Sequence, residues 1–300
     1  MATDLLEAKP VVNPITAWER VKLARHPDRP RTLDFIHELM TGFIELHGDR
    51  VHGDDRALIG GLARFGGRTV MVLGHQKGGD TKENLERNFG MARPEGYRKA
   101  ARLLRHAEKF NLPVLTLIDT PGAEPGVGSE ERGQATAIAE SLLAMADLAV
   151  PTVAIVIGEG GSGGALAVGV ADRILMLENA VYAVASPEAC AAILWRDAAR
   201  APEAAATMRI TAADLHGFGI VDEVVLEQVP AHERPRAAIL AAGAALRAHL
   251  DGLIEEFPGD DDETRERLRD ARFQKFRRIG AWREAAWRDS GLPLDGHAAG

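Results

Sequence analysis

A single cysteine, Cys190, in 300 residues leaves no intrachain disulfide and too few thiolates for a cysteine-built zinc site. That scarcity points to a reducing cytoplasm. Cys190 stands in SPEACAAILW, a helix-like run where a small buried thiol is expected. Excess basic charge is also missing. Lys and Arg number 36 against 44 Asp and Glu, a net charge of −8, which argues against a general nucleic-acid binder. No uncharged apolar run reaches the roughly 18 residues of a membrane span, and MATDLLEAKP lacks the basic-then-apolar order of a signal peptide. Familiar catalytic side-chain motifs are absent too: no G-x-S-x-G elbow, no His cluster, no H-E-x-x-H, and no carboxylate pair placed for hydrolysis.

What the chain does have is apolar content, 46% of residues, enough for a sizeable core. After a short helical segment from Ala17 to His26, Thr32-Leu33-Asp34 opens a helix with Phe35, Ile36, Leu39, Met40 and Phe43 on one face. ALIGGLARF and TVMVLG read as strands joined by Gly66-Gly67, a hairpin signal. The middle then repeats one unit. A helical stretch over 95–110 leads into the apolar run PVLTLID and the turn TPGAEPGVG, followed by the helix-like EERGQATAIAESLLAMADL. PTVAIVI leads in turn into GEGGSGG, ALAVGVA and the strand RILMLE. VYAVAS then meets Ser186-Pro187-Glu188, an N-cap with proline at the first helical position. Alternation of this kind predicts an α/β fold with largely parallel strands. Both glycine turns fall at carboxyl ends of strands, where α/β proteins place ligands. The C-terminal third reads as helical, with one apolar stripe over Leu246, Leu250, Leu253, Ile254 and Phe257. A second stripe, Leu268, Phe273, Phe276 and Ile279 with Trp282 and Trp287, packs on this chain or meets a partner.

The densest feature is VAIVIGEGGSGGALAVG, residues 153–169. A P-loop would need a lysine after its second glycine, and Gly164-Ala165 follow Gly163 instead. Gly158 to Gly163 satisfies the dinucleotide pattern G-x-G-x-x-G, with Glu178 ending the next strand, although any glycine-dense turn contains that match. Close packing against the chain's own backbone is a second reading. A third is an oxyanion hole: free N–H groups at a helix N-terminus, with Gly163-Gly164 letting an oxygen approach without meeting a Cβ. The Gly122-Ala123-Glu124-Pro125-Gly126 turn would then supply a wall and further N–H groups. Lys77, Arg98 and Lys99 read either as contacts to phosphates or an acidic partner surface, or as solvated surface charge. His75 reads as a satisfied structural histidine or as a residue lining the site.

The order of strand, glycine turn, Gly-Gly at a helix start and D-R-I strand resembles the crotonase superfamily. ITAWERVKLARHPDRPRTLDFI, GHQKGGDTKENLERNFGMARPEGYRKA, IDTPGAEPGVGSEERGQ, VIGEGGSGGALAVGVADRILML, SPEACAAILWRD, TAADLHGFGIVDEVV and RFQKFRRIGAW narrow the likeness. Together they are similar to the carboxyltransferase α subunits of bacterial acetyl-CoA carboxylase, over roughly residues 15–285. The resemblance implies a crotonase-like β-β-α superhelix over 17–257, after a loose lead-in at 1–16, with a helical segment at 258–289 and a disordered tail at 290–300. It implies a β subunit of the same fold in an α2β2 assembly, with zinc only in that partner. It implies a biotin carboxyl carrier protein and, in the wider complex, a biotin carboxylase. Carboxybiotin and acetyl-CoA would be the substrates and malonyl-CoA the product, for fatty acid synthesis. No Met-flanked biotinylation lysine and no ATP-binding motif occurs, so the chain is neither carrier nor carboxylase. By the same resemblance Gly163 and Gly164 hold the biotin-side oxyanion, while Gly122, Ala123, Gly126, Gly160 and Gly161 contribute to biotin or substrate binding. Glu124 stands where the family usually carries an aromatic residue. Action on another acyl-CoA, a biotin-dependent decarboxylase, or a non-catalytic scaffold remain the alternatives.

Overall fold

A computed structural model describes residues 15–280; the expected tail at 290–300, Trp282, Trp287 and most of the lead-in lie outside the described residues. Thr16 and Glu19 form a reciprocal capping box that starts α1 (Ala17–Ala24). The next helix, α2 (Thr32–Leu39), is shorter than its apolar period suggests. Met40 already has extended backbone (φ −125°, ψ 158°), and Thr41–Glu45 form strand β1. Phe43 therefore belongs to a sheet edge and not to the helix face. The period misled because no proline or glycine separates helix from strand before Gly42, whose φ of +62° comes after the switch.

The hairpin follows as expected: β2 (Leu58–Phe65) and β3 (Arg68–His75) pair antiparallel from Leu58–His75 to Phe65–Arg68. Gly66 and Gly67, with φ of +57° and +84°, make the tight turn that strand twist demands. Next come α3 (Thr81–Glu86), α4 (Pro94–Lys109) and β4 (Val114–Thr120). The single helix expected after the second turn is two, α5 (Val127–Glu131) and α6 (Gln134–Asp147), parted by Gly133 in the left-handed region. Strand β5 (Thr152–Gly161) continues four residues beyond its apolar run, through Gly158–Gly161. Helix α7 (Ser162–Leu166) is only five residues long. Then follow β6 (Arg173–Leu177), β7 (Val181–Ala183), α8 (Pro187–Trp195), α9 (Ala201–Met208), α10 (Ala212–Gly217), β8 (Glu223–Val225), α11 (Pro235–Glu256) and α12 (Asp262–Arg277). The α8 cap is as read: Ser186 Oγ accepts from the Ala189 N–H at 3.1 Å. Cys190 on α8 is half-buried, more exposed than a core thiol.

The strands form one sheet in the order β1-β2-β3-β4-β5-β6-β8, with β7 beside the far end of β5. The first two pairings are antiparallel and the rest parallel. Every residue of β4 is buried, as is β5 up to Gly160, the pattern of central strands covered on both faces. Tyr97, Leu103 and Leu104 of α4 and Met145 of α6 join this core. Helix α11 is, among described helices, the one long and apolar enough to cross a membrane by composition. Its Ile239, Ala242, Leu246, Leu250 and Leu253 face is spent in the same core. Ile254 is partly buried and Phe257 buried, so the predicted stripe holds. The stripe of α12 splits: Leu268 is buried, while Phe273 faces solvent.

Candidate active site

Strands β4 and β5 end side by side, and two turns leave them together. Between the pairs Ile118–Val156 and Thr120–Gly160 the register slips, so the end of β5 rides up against the Pro121–Ala123 turn. The glycines record what lies there. A Cβ on Gly158 would overlap the Asp119 carboxylate, and one on Gly161 would overlap the Pro121 carbonyl. At Gly160 it would come within 2.6 Å of the Tyr182 ring, and at Gly164 within 2.6 Å of the Ala123 nitrogen. Most of the glycine stretch is thus closed by the chain's own atoms.

Gly163 is different. The nearest atom to a Cβ there would be Ile138 Cγ2 at 3.6 Å, an ordinary contact. Ser162 before it holds a left-handed φ of +53°, a strained conformation for a residue with a Cβ. It turns the chain sharply from strand to helix. The N–H groups of this first helical turn have no intrahelical acceptor. Gly163 lines an apolar cleft of about 370 Å³ with Leu166, Tyr182, Val184, Ile220 and Phe276. Burial raises the Tyr182 hydroxyl to about 12, so it stays protonated. A second apolar hollow shares Tyr182, Val184 and Ile220 with the first and includes Cys190, Ile193 and Phe218.

Of the glycines expected to face a ligand, Gly160 and Gly161 do not line this cleft; Tyr182 and Pro121 occupy the space they leave. Gly122 and Ala123 stand behind Gly164. Thr120 Oγ1 pins that turn, donating to the Gly122 carbonyl at 2.7 Å and accepting from the Gly122 N–H at 3.1 Å. The Gly126 N–H is taken by the Glu124 carboxylate at 3.0 Å. Glu124 therefore folds back on its own loop, and Gln134 Nε2 ties that loop down through the Ala92 and Glu124 carbonyls, each at 2.9 Å.

The three expected cations are neither solvated nor free for a phosphate. Lys77 Nζ lies 2.7 Å from Asp119 and 3.1 Å from Glu159. Burial works against its charge, but the two carboxylates outweigh that and hold its pKa above the ordinary value. Arg98 binds Asp49 at 2.7 Å and Glu95 at 3.2 Å. Lys99, wholly buried, meets Asp54 at 2.5 Å and the Asp55 carbonyl at 2.8 Å. A buried cation has to be paired, and apart from Glu95, three residues before Arg98 on the same helix, the carboxylates come from distant segments. Beside Lys77 a polar cleft of about 340 Å³ also takes in Arg25, Arg29 and Arg31. Two of its charges are paired, Arg25 with Glu159 and Glu188 and Arg29 with Glu227, while Arg31 donates to the Pro27 carbonyl.

His75 is fully buried, yet it is not a satisfied histidine: neither ring nitrogen has a hydrogen-bond partner among the described residues. Burial first, then the charge on Lys77, pushes it down to about 3, against the pull of the Gly164 backbone, so the ring is neutral. Tyr97, also fully buried, has an unpartnered hydroxyl 2.9 Å from where a Gly164 Cβ would sit. Burial and the Asp55 charge raise its pKa far above the ordinary value. Tyr97, Asp119 and Glu159 carry no motif that marks them in the sequence; their positions at strand ends and on a helix facing the sheet are the only signal.

A family model described as acetyl co-enzyme A carboxylase carboxyltransferase-like matches residues 5–280. Acetyl-coenzyme A carboxylase carboxyl transferase subunits alpha resemble the chain over nearly all of it. That of Synechococcus sp. (strain CC9902) is 56% identical over 270 residues, 90% of this chain and 80% of the relative. That of Aquifex aeolicus is 52% identical over 281 residues, 93% and 85%. Among solved structures, a transcarboxylase 12S hexamer core with methylmalonyl-coenzyme A superimposes with a TM-score of 0.58 at 24% identity. The match covers 79% of this chain but only 44% of that one, so the chain spans less than half its length. A Pseudomonas malonate decarboxylase hetero-tetramer with coenzyme A gives 0.58 at 21%, covering 76% and 92%. At these identities the likeness shows the fold, that of the crotonase-like carboxyltransferases.

Proposed function

The chain belongs to the family of acetyl-CoA carboxylase carboxyltransferase α subunits, and from that premise we propose that Gly163 and Gly164 hold the oxyanion formed as carboxybiotin gives up its carboxyl group. Family membership makes it a subunit of a biotin-dependent carboxyltransferase of fatty acid synthesis. In this reading the N–C bond of carboxybiotin on a carrier protein breaks to release CO2, the ureido anion takes a proton from the methyl group of acetyl-CoA, and the resulting enolate carbon attacks the CO2. Negative charge develops on the ureido oxygen, and the Gly163 and Gly164 N–H groups meet it. The thioester oxygen is held by a β subunit of the same fold in an α2β2 assembly, and zinc belongs to that subunit. The carrier is recharged by a biotin carboxylase, and the whole system works in the cytoplasm.

The single observation that supports this best is the contrast within the glycine stretch. Gly158, Gly160, Gly161 and Gly164 are closed by the chain's own atoms, whereas Gly163 opens onto an apolar cleft. Backbone donors beside apolar walls, once substrate covers the cleft, are worth more than in water, and they need no reorganisation when the charge appears. The apolar wall of Leu166, Val184 and Phe276 suits the hydrocarbon part of biotin. The Gly122-Ala123 turn backs Gly164, and Gly126 steadies the same loop through Glu124.

Gly163→Val tests this in the complex reconstituted with a β subunit. The space at Gly163 admits a side chain at ordinary contact distance, so the subunits should still assemble. Carboxyl transfer should fall about 100-fold to 1,000-fold. Near-normal malonyl-CoA formation by the assembled variant would remove the role.

A further inference from the structure

We propose that His75 and Tyr97 are positioning residues that set the Gly164 backbone from behind, an inference that rests on Gly163 and Gly164 being the oxyanion donors. Several buried polar side-chain atoms lack partners among the described residues, and two of these side chains meet at Gly164. The Tyr97 hydroxyl lies 2.9 Å from the position of a Gly164 Cβ, and the imidazole of His75 faces the Gly164 backbone. They come from separate elements, α4 and the end of β3.

Helix α7 holds the two sides of Gly164 unequally. It ends after five residues, and the N–H groups beyond it pass the Gly164 carbonyl on either side. That of Ala167 goes to Gly163 at 3.0 Å, and that of Val168 goes to Ala165 at 3.3 Å. The peptide that carries the Gly164 N–H is thus pinned by the Ala167 bond, whereas the Gly164 carbonyl is not, and the placement of Gly164 in this turn depends on what packs behind it. On the other flank the Ala123 nitrogen and the Gly122 carbonyl carbon fill the remaining space, at 2.6 and 2.7 Å from the same Cβ position. A neutral imidazole and a phenol each carry one uncharged donor. They can steady a peptide without a positive charge that would compete for the oxyanion.

A merely structural role predicts something different for Tyr97. A buried hydroxyl without an acceptor disfavours folding, so a phenyl ring of the same shape should be neutral or stabilising. Tyr97→Phe thus separates the two roles. In the complex with the β subunit, it should leave Tm unchanged or higher and KM for acetyl-CoA unchanged. Its kcat should fall roughly tenfold to a hundredfold, as expected for a small displacement of a reacting group. His75→Asn should behave alike, and His75→Gln, whose longer amide reaches further, should recover part of the loss. Because both side chains act through Gly164, the double variant should lose less than the product of the single losses. Full activity in Tyr97→Phe with a raised Tm would overturn the proposal, as would strict multiplicativity. Should His75→Asn fail to fold, Tyr97→Phe decides alone. If Gly163→Val is fully active, the donor reading itself fails and takes this one with it. If Gly163→Val is inactive while Tyr97→Phe and the His75 variants are normal, only the positioning role falls.

Discussion

Arg272, on α12, and His75, at the end of β3, are both sealed from solvent, but they are handled in opposite ways. Arg272 is held by both oxygens of Asp172, at 2.8 and 2.9 Å, and by the carbonyls of Met145 and Leu148, at 2.9 and 2.6 Å. Asp172 in turn accepts the Thr152 N–H at 2.8 Å, at the start of β5. His75 has none of this. The first arrangement anchors a C-terminal helix to the sheet, far along the strands from the glycine turns. The second lies directly behind them. At the glycine-turn end the charged groups Lys77, Asp119 and Glu159 are paired, but His75 and Tyr97 are left without partners, which marks where the chain gives some stability up.

The contrast can be broken at three points. Arg272→Leu should be the most damaging, because it leaves the Asp172 carboxylate buried with the Thr152 N–H but no counter-charge, and several carbonyls without a donor. A loss of about 3–5 kcal/mol is expected from urea unfolding, and an unchanged midpoint would show that the pair holds nothing. His75 gives a smaller effect that depends on pH. Its folded pKa of about 3 lies below the ordinary 6.5, so the unfolded chain binds the proton first. Stability is therefore whole above pH 6.5 and declines as pH falls toward 3, by roughly 1.4 kcal/mol per unit. His75→Asn should flatten that slope between pH 6 and 4, and an identical slope would mean that the ring is not held neutral. Smallest is the exposed pair of Arg56 and Glu86, 2.9 Å apart with both side chains nearly half exposed or more. Arg56→Ala should cost under about 1 kcal/mol and less in high salt. A larger loss would erase the difference between buried and surface pairing.

Much of the architecture was legible because its signals are local. Gly66-Gly67 between two alternating runs, the apolar runs of β4 and β5, and Ser186-Pro187 before α8 each state their structure within a few residues. Phe43 was not legible, since an apolar residue four beyond Leu39 fits a helix face as well as a strand. The extension of β5 through Gly158–Gly161 escaped for the opposite reason: glycine disfavours strands, and only Tyr182 and the Pro121 turn explain its presence there. Gly163 could be picked out from its place at a strand-to-helix junction. The partners of Lys77 could not, because Asp119 and Glu159 stand 42 and 82 residues further along the chain. Tyr97 was hidden likewise, and His75, singled out at a strand end, gave no sign that its ring nitrogens would lack partners. Two residues on different elements acquire a shared role only when the fold brings them to one peptide.

The contact of Gly161 with the Pro121 carbonyl, and of Gly164 with the Gly122–Ala123 peptide, has a mechanical consequence. Each turn fills the hollow of the other, so the two are interlocked and neither can loosen while the other stays in place. Local opening of this end of the sheet must then be concerted, a single cooperative unit that breathes as a whole. A thermal fluctuation large enough to swing the TPGA turn aside would also release the first turn of α7. The N–H groups at the start of α7 are in that sense as rigid as the neighbouring loop, although that loop does not line the cleft.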